Sequence, residues 1–433
     1  MVALIKALQV ILALSLLIFI HELGHFLWAR IFGIRVEKFY LFFDIGGKAI
    51  FRFKKGDTEF GIGWLPLGGY CKIAGMIDES LDTEQLKQEP QEWEFRSHPA
   101  WQRLFVMAGG VLNNFIFAVI VYSLILGIWG QSYISNRNSQ VYVNELAYEM
   151  GFRNGDRILS FDDYVPEDFA MLQADLARRD VSTATVLRGK DTVRIYIDQS
   201  MIGEVLNTPE MFDLAIPFVI DSVVTPGPNA ASGLKRGDRV IAFDGKEVQF
   251  VQDSRNVLAE YKGQSIPATV VRGEDTLALA VQVDTSGRIM VNMAVPGIET
   301  REYNALTAIP AGWNLTMDTI HGYLQDLKLM ATPSTGAYKS VGSFIAIGQV
   351  FPSSWNWLQF LNILALLSIM LAVMNLIPIP GLDGGHILFT LYEMVSGRKP
   401  GDKFLLVAQI IGMAVIFGLM ILAFGNDIGR LIH

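Results

Sequence analysis

His21, Glu22 and His25 lie within the pentapeptide HELGH and have the residue types and spacing of a hydrolytic metal site. On a helix, residues four apart share a face, so His21 and His25 can direct two imidazoles at one metal ion. Zinc suits them because it accepts neutral imidazole nitrogen and, with three protein ligands, keeps its fourth position for water. Glu22 can take a proton from that water and deliver it to a leaving amine. The pattern predicts Zn²⁺ as the cofactor and Glu22 as the catalytic base.

A third metal ligand is expected in the segment MNLIPIPGLDGGHILF, residues 374–389. Its two prolines should end a helix, and its glycines allow tight turns. Asp383 in this irregular segment is the best candidate, and His386 competes with it because imidazole is the better zinc ligand by type. Asn375, just before the break, could hydrogen-bond a peptide carbonyl or a developing oxyanion. Alternatively, Asn375 and Asp383 only cap helix ends around the loop.

The elements that must position these residues are membrane helices. Hydrophobic residues make up 51% of the 433 residues and charged residues 18%, too apolar a balance for a simple soluble protein. Four segments are long and apolar enough to span a bilayer, namely about 4–31, 104–129, 357–376 and 404–424. Both motifs fall in or beside such segments. Ionisable groups at that depth cost a few kcal/mol each and survive mainly when paired, metal-bound or functional.

Charge predicts the topology and excludes one class of partner. Basic residues are frequent in 32–103 and in the link 377–403, so both are expected on the cytoplasmic side, with both chain ends and 131–355 on the outer side. The net charge is -8, and no Lys/Arg-dense segment with interleaved aromatics is present, which argues against nucleic acid binding. The single cysteine, Cys71, is predicted to be a buried structural thiol.

An internal repeat occupies the outer stretch. GFRNGDRILSFDD (151–163) matches GLKRGDRVIAFDG (233–245), and TVLRGKDTV (185–193) matches TVVRGEDTL (269–277). Two small β-rich modules are therefore predicted, at 131–212 and 213–300. The shared Gly-Asp-Arg turn resembles PDZ domains of bacterial membrane and periplasmic proteases, which implies that extended peptides bind by strand addition. A pair of β-barrels serving as a spacer is the alternative.

The other regions are 1–130, 301–356 and 357–433. The first holds helices 1 and 2 and a β-region at 32–103, the second connects the modules to the membrane, and the third holds helices 3 and 4. Within the connection, 306–330 has helical amphipathic spacing and could lie on the outer membrane surface or pack against the modules. Residues 340–355 are interpreted as a loop or half-buried turn.

Taken together, the two motifs resemble those of the site-2 protease family of intramembrane zinc metalloproteases. H-E-x-x-H lies in the first membrane helix and N-x-x-P-x-P-x-x-D-G at the end of a later one, and four helices with two PDZ-like modules are similar to the branch of the regulators of sigma-E. The resemblance covers essentially the whole chain. It implies His21, His25 and Asp383, rather than His386, as zinc ligands. It also implies Glu22 as catalytic base and a contact from the Asn375 side chain to the substrate backbone.

The β-region fits the same resemblance. The segment 51–75 alternates in strand fashion around Gly61, Gly63, Gly68 and Gly69. In the family such a segment forms a membrane-associated β-sheet whose edge holds an unwound substrate, so these four glycines are predicted substrate contacts. An ordinary hairpin on the cytoplasmic face is equally compatible with the pattern. In MAGGVLNNF (107–115), the small residues and the two asparagines, at 113 and 114, would let helices approach closely around the site, and ordinary helix packing is the favoured role of the asparagines.

The predicted fold class is therefore a multi-pass α-helical membrane protein with four transmembrane helices, a membrane-associated β-sheet and two periplasmic PDZ-like α+β modules. The predicted activity is a zinc endopeptidase of the bacterial inner membrane that cuts single-pass membrane proteins within or near their transmembrane helix. By resemblance, the substrates are a pre-trimmed anti-sigma factor and remnant signal peptides. The modules are expected to meet peptides or substrate ectodomains and to exclude untrimmed ones.

Two rival functions follow from the same residues. One is a non-catalytic membrane scaffold whose modules bind protein C-termini and whose metal site is structural. Structural zinc sites usually have four protein ligands, whereas three plus an adjacent glutamate are predicted here. The other rival is a metal transporter, which would be expected to have more helices and a symmetrical pair of broken ones.

Overall fold

The computed structural model describes residues 2–66, 68–76, 89–295, 297–332 and 344–432. The chain divides into two compact units. The first comprises Met1–Gly130, Glu302–Lys328 and Tyr338–His433, and the second comprises Gln131–Arg301 and Leu329–Ala337.

The α-helices of the described residues are numbered in chain order. They are α1 (Val2–Ile31), α2 (Ala100–Trp129), α3 (Glu145–Glu149), α4 (Leu172–Arg178), α5 (Ile202–Asn207), α6 (Val251–Ala259), α7 (Ala305–Ala331), α8 (Phe344–Val350), α9 (Trp357–Leu376), α10 (Asp383–Ser396) and α11 (Asp402–Ile432).

The strands are numbered in the same way. They are β1 (Val36–Leu41), β2 (Ala49–Lys55), β3 (Thr58–Gly63), β4 (Tyr70–Ile73), β5 (Gln131–Ile134), β6 (Val141–Val143), β7 (Arg157–Phe161), β8 (Thr183–Arg188), β9 (Asp191–Tyr196), β10 (Phe212–Leu214), β11 (Ile220–Val223), β12 (Arg239–Phe243), β13 (Lys246–Glu247), β14 (Ser265–Arg272), β15 (Asp275–Gln282), β16 (Val291–Met293) and β17 (Ile298–Arg301).

Four helices of the first unit are long and apolar enough to cross a membrane. Among the described residues these are α1, α2, α9 and the segment Lys403–Asp427 of α11, which agree with the four segments predicted from the sequence. Large apolar side chains such as Leu4, Phe19 and Leu27 on α1 are exposed. Apolar side chains that are exposed on helices of this length are favourable in the hydrocarbon core of a bilayer. The first unit therefore has the features of a membrane protein.

Helix α2 is the centre of the first unit. One cluster joins its residues Ala118, Val121 and Ile125 to Ala365 and Ile369 of α9. A second hydrophobic cluster lies at the other end of α2, where α1, α2 and the first sheet meet. It contains Ala29, Ile34, Val36, Ile73, Val106 and Met107. Helix α2 therefore lies between the two helices that carry the sequence motifs.

A four-stranded sheet follows α1 in the order β2-β3-β1-β4. β1 and β3 are parallel, whereas β1–β4 and β2–β3 are antiparallel, so β4 and β2 are the edge strands. The sheet packs on α1, because Phe39 of β1 contacts Phe19 and Phe26 with ring centroids 5.8 and 5.5 Å apart. The chain thus forms a sheet in this region rather than a simple hairpin.

Three connecting segments differ from their sequence-based interpretation. Helix α7 packs on α2, where Gly312 lies against Ser123 and the Trp313 ring contacts Phe115 at 5.3 Å. Small residues on one face allow this approach, which amphipathic spacing alone did not indicate. Residues 344–350 form helix α8, although 340–355 was expected to be a loop; 340–343 lie outside the described residues. The link 377–403 contains α10, which the Pro-Gly signals concealed.

The second unit contains two hydrophobic cores. One gathers buried residues from 141–214, including Phe152, Phe161 and Leu172, and the other gathers residues from 218–289, including Phe218 and Phe243. The larger sheets are β7-β8-β9 over the first core and β13-β12-β14-β15 over the second.

Each sequence copy in this unit carries the same buried ion pair. Asp156 accepts hydrogen bonds from Arg188, and Asp238 accepts them from Arg272, with shortest separations of 2.8 and 2.7 Å. Both aspartate side chains are fully buried. Hydrogen bonds from Arg272 hold the pKa of Asp238 below its ordinary value. The Asp238–Arg272 pair therefore stabilises the folded state at pH values above the unfolded-state pKa of about 3.9. That stabilisation is lost as the pH falls through the lower folded-state pKa.

Replacing one of these aspartates should destabilise one copy only. In Asp238→Ala the guanidinium of Arg272 loses its charged partner and keeps its hydrogen bond to the main-chain oxygen of Gly233, so the local cost should be about 1–3 kcal/mol. Amides of β12 and β14 should then exchange hydrogen faster in the full-length protein, with β7 and β8 unchanged. Asp221→Ala is the control, because the Asp221–Arg236 pair is exposed and contributes at most about 1 kcal/mol. Equal protection of β12 in both variants would contradict the assignment.

Candidate metal centre

Helix α1 carries both histidines on its buried side. Leu17, His21, Gly24 and His25 are buried at helical spacing, while the opposite side of α1 is exposed and apolar. The relative exposure is only 8% for His21 and 6% for His25. The i, i+4 spacing therefore places the two imidazoles side by side inside the helix bundle, as the sequence predicts.

The proline-broken segment after α9 brings Asp383 to the histidines. The chain leaves α9 at Leu376 and begins α10 at Asp383, which lies in the first turn of that helix. Side chains at Gly384 and Gly385 would overlap main-chain atoms of the loop 376–380, and a methyl group at Gly412 of α11 would overlap the carbonyl oxygen of Pro380. Glycine at these positions lets the loop fold tightly between α10 and α11.

Three ligand atoms converge at the centre. The Asp383 Oδ2 atom lies 3.2 Å from Nε2 of His21 and 3.3 Å from Nε2 of His25, and the two Nε2 atoms are 3.3 Å apart. A regular tetrahedron with this edge has its centre about 2.0 Å from each corner, which is the bond length of zinc to nitrogen and oxygen in proteins. The buried Oδ2 atom makes no hydrogen bond of normal geometry within the described residues. The donor set therefore fits a zinc ion with one open position.

Helix α2 passes directly over the two imidazoles. A side chain at Gly24 would overlap the carbonyl of Gly109, and a methyl group at Gly110 would lie 2.5 Å from Nε2 of His25 and 2.6 Å from Cε1 of His21. Glycine at these crossing positions allows the two backbones to approach.

The same face of α2 supplies polar partners to the outer ring nitrogens. Nδ1 of His25 lies 2.8 Å from the carbonyl oxygen of Val106, and Nδ1 of His21 lies 3.2 Å from Nδ2 of Asn114. The interpretation of Asn114 as an ordinary packing residue is therefore wrong. Asn113 does contribute to helix packing, since its amide donates to the main-chain oxygen of Ile20 at 3.3 Å. The sequence signal available was Asn114 itself, a polar residue four positions after Gly110 in an apolar helix.

Glu22 lies between the three candidate metal ligands and the sheet. Its carboxylate is close enough to His21, His25 and Asp383 to interact with them electrostatically, and it accepts a hydrogen bond from the main-chain N–H of Cys71 in β4. The edge of β4 that is not paired with β1 therefore faces Glu22. Desolvation and the nearby Glu22 carboxylate raise the pKa of the Cys71 thiol, and the residue is half-buried rather than fully buried as predicted.

Asn375 and His386 occupy different surroundings. The side-chain nitrogen of Asn375 lies 3.4 Å from Nε2 of His21, so the last turn of α9 reaches the centre. His386 lines a cleft with Arg103, Phe389 and Lys399. Among the described residues, the group able to hold a metal consists of His21, His25 and Asp383 and does not include His386.

A comparison with known protein families matches residues 9–419 to the model of peptidase family M50. The chain belongs to this family. The resemblance to site-2 proteases, the M50 peptidases, is thereby confirmed. A protein of Neisseria meningitidis that is named as a zinc metalloprotease is 30% identical over 457 residues, covering 98% of each chain. The regulator of sigma E protease of Haemophilus influenzae is 28% identical over 450 residues, covering 97% of this chain and 98% of its own.

The four glycines predicted to contact substrate in this M50 chain lie in or beside the sheet. Gly61 and Gly63 belong to β3, an interior strand, whereas Gly68 and Gly69 precede the edge strand β4. Side chains at Gly61 and Gly68 would overlap the rings of Tyr40 and Phe43, respectively. The structure gives these glycines a packing role, and their contact with substrate stays a prediction.

A methyl group at position 110 should disturb the centre without disturbing α2. Gly110→Ala would push both imidazoles away, so we expect metal affinity to fall by about tenfold or more. Gly127→Ala is the matched control, because its Cβ would meet only the Cβ atom of Ala308 at 3.5 Å. Both changes raise helix propensity by about 1 kcal/mol, so the difference reports the imidazole contact. Equal metal content in the two purified variants would show that α2 does not constrain the histidines.

Proposed function

We propose that this M50 peptidase is a zinc endopeptidase that cuts single-pass membrane proteins within or next to their transmembrane helix. The observation that carries the proposal is the triangle of His21, His25 and Asp383, with Glu22 beside it, among apolar helices. The match to M50 peptidases and the names of the relatives support the same chemistry.

The roles of the residues follow from their positions. His21, His25 and Asp383 would hold the zinc ion, which supplies the Lewis acidity that activates water and polarises a peptide carbonyl. Glu22 accepts the proton from the attacking water and transfers it to the leaving amine nitrogen. Asn375 would donate a hydrogen bond to the carbonyl oxygen as negative charge develops on it, a role supported by the 3.4 Å distance of its side-chain nitrogen from Nε2 of His21.

The substrate is proposed to bind as an added strand on β4. A transmembrane helix shields its amides by internal hydrogen bonding, so it must unwind locally before its peptide bonds can be attacked. The free edge of β4 can replace the lost hydrogen bonds, and it faces Glu22 through the N–H of Cys71. Gly68 and Gly69 lead into this edge strand, which keeps them as proposed substrate contacts.

The proposed location is the bacterial inner membrane, with 131–300 on the periplasmic side. The excess of Lys and Arg in 32–103 and 377–403 supports cytoplasmic placement of these connections. A pre-trimmed anti-sigma factor is the proposed substrate, because one relative is named as a regulator of sigma E protease. The modules at 131–212 and 213–300 are proposed to be PDZ-like and to receive peptides or trimmed ectodomains.

The scaffold alternative is less compatible with the centre. A structural zinc site is normally closed by four protein ligands, whereas the described group has three ligands, with a carboxylate beside them that is able to act as a base. The catalytic proposal accounts for all four side chains.

Removing the base should abolish cleavage without removing the metal. In proteoliposomes with a single-pass helical substrate, Glu22→Gln should lower the rate of cleavage by about 10²- to 10⁴-fold and leave the zinc content unchanged. Asp57→Asn, which removes an exposed carboxylate of the same unit, should cut normally. Cleavage by Glu22→Gln at the original rate would end the proposed mechanism, whereas cleavage by no form, wild type included, would favour the scaffold.

The third ligand can be tested by zinc affinity alone. Asp383→Ala should weaken zinc binding by more than about a hundredfold, because it removes a ligand rather than a supporting group. His386→Ala should keep a bound zinc, since His386 faces a different cleft. Titration of each metal-free variant against a competing chelator measures both. Loss of zinc from His386→Ala, with retention in Asp383→Ala, would reverse the assignment.

A further inference from the structure

Helix α2 presents three successive turns to the histidine pair. Val106, Gly110 and Asn114 are spaced four residues apart, matching the four-residue spacing of His21 and His25 on α1. Gly110 provides space for both rings, and Val106 and Asn114 each approach one outer ring nitrogen.

The hydrogen-bond partner of each Nδ1 atom determines whether Nε2 of the same imidazole ring can bind a metal. A neutral imidazole that coordinates through Nε2 must carry its proton on Nδ1, and that proton needs an acceptor. For His25 the carbonyl oxygen of Val106 is such an acceptor, at 2.8 Å. A main-chain carbonyl can only accept, so His25 always has its Nε2 lone pair directed at the centre when it is neutral.

The corresponding partner of His21 is an amide, which can either donate or accept. Asn114 is fully buried, its Nδ2 atom lies 3.2 Å from Nδ1 of His21, and its Oδ1 atom has no hydrogen-bond partner within the described residues. With Nδ2 donating, the imidazole proton must be on Nε2, where the side-chain nitrogen of Asn375, at 3.4 Å, would then find no acceptor. Rotation of the amide by half a turn brings Oδ1 to the same place, because the two groups are nearly equal in size.

We propose that Asn114 is a positioning residue that fixes the tautomer of His21 by accepting the Nδ1 proton through Oδ1. With that proton held on Nδ1, the Nε2 lone pair of His21 would be available to a zinc ion. The hydroxyl of Ser368 donates to the main-chain oxygen of Asn114 at 2.8 Å and holds this turn of α2 in place. The inference rests on the proposed zinc site and adds a residue outside the two motifs.

Three variants of the full-length, detergent-purified protein test the proposal. Asn114→Leu keeps the approximate shape but offers His21 no partner, so its zinc dissociation constant should rise about 10- to 100-fold. Asn114→Asp can accept the Nδ1 proton, so it should bind zinc within about threefold of the wild type or more tightly. Asn113→Leu, the neighbouring control, should bind like the wild type. Affinity is measured by chelator competition, and the visible spectrum of the Co²⁺-loaded proteins reports the ligand geometry.

Each result has a defined meaning. Rescue by aspartate but not leucine, with an altered Co²⁺ spectrum for the leucine variant only, supports the tautomer role. Wild-type affinity in Asn114→Leu, or equal weakening in Asn114→Leu and Asn114→Asp, would overturn it. Thermal unfolding in chelator separates a folding defect from a metal defect, and if the leucine variant does not fold, Asn114→Ala takes its place with the same expected loss of zinc affinity. Absence of zinc binding by the wild type would instead overturn the proposed function.

Discussion

The close crossing of α1 and α2 is the constraint on which the metal centre depends. Gly24, Gly109 and Gly110 lack the atoms that would separate the two backbones, so α2 runs against the rings of His21 and His25. Only at this distance can main-chain and side-chain groups of α2 reach the outer ring nitrogens. The sheet packs on α1, and α9 packs on α2. A side chain that separated α1 from α2 would therefore also displace the groups that the sheet and α9 bring to the centre.

Buried polar groups in an apolar helix bundle need hydrogen-bond partners, and most of the polar groups at this centre have one. The histidines contact Val106 and Asn114, and Glu22 accepts from the main chain of β4. Two buried oxygen atoms are exceptions, Oδ1 of Asn114 and Oδ2 of Asp383, and the second points between two Nε2 atoms without a normal hydrogen bond. A buried orphan atom is costly, and a cation at that position would remove the cost.

Much of this arrangement could be predicted from the sequence, because the governing rules are local. Bilayer thickness specifies the length of an apolar helix, and the four-residue spacing of His21 and His25 specifies one face. The irregular surroundings of Asp383 make it the preferred third ligand, and the family resemblance is what favours it over His386. The features that the sequence did not predict depend on tertiary contacts. Prolines and glycines in the link 377–403 argued against helix α10, and the packing of α7 on α2 depends on which small residues meet. Asn114 resembled a packing residue. None of these can be read from periodicity, since each depends on a neighbour distant in sequence.

The contact between Gly412 and Pro380 extends the influence of the centre to a helix that carries none of its side chains. Pro380 lies three residues before Asp383, and its carbonyl oxygen occupies the space where a side chain at 412 would stand. A shift of α11 would therefore move the loop and the carboxylate with it. Mutational tolerance at position 412 should be as narrow as within the two motifs themselves, although nothing in its own neighbourhood of the sequence indicates this.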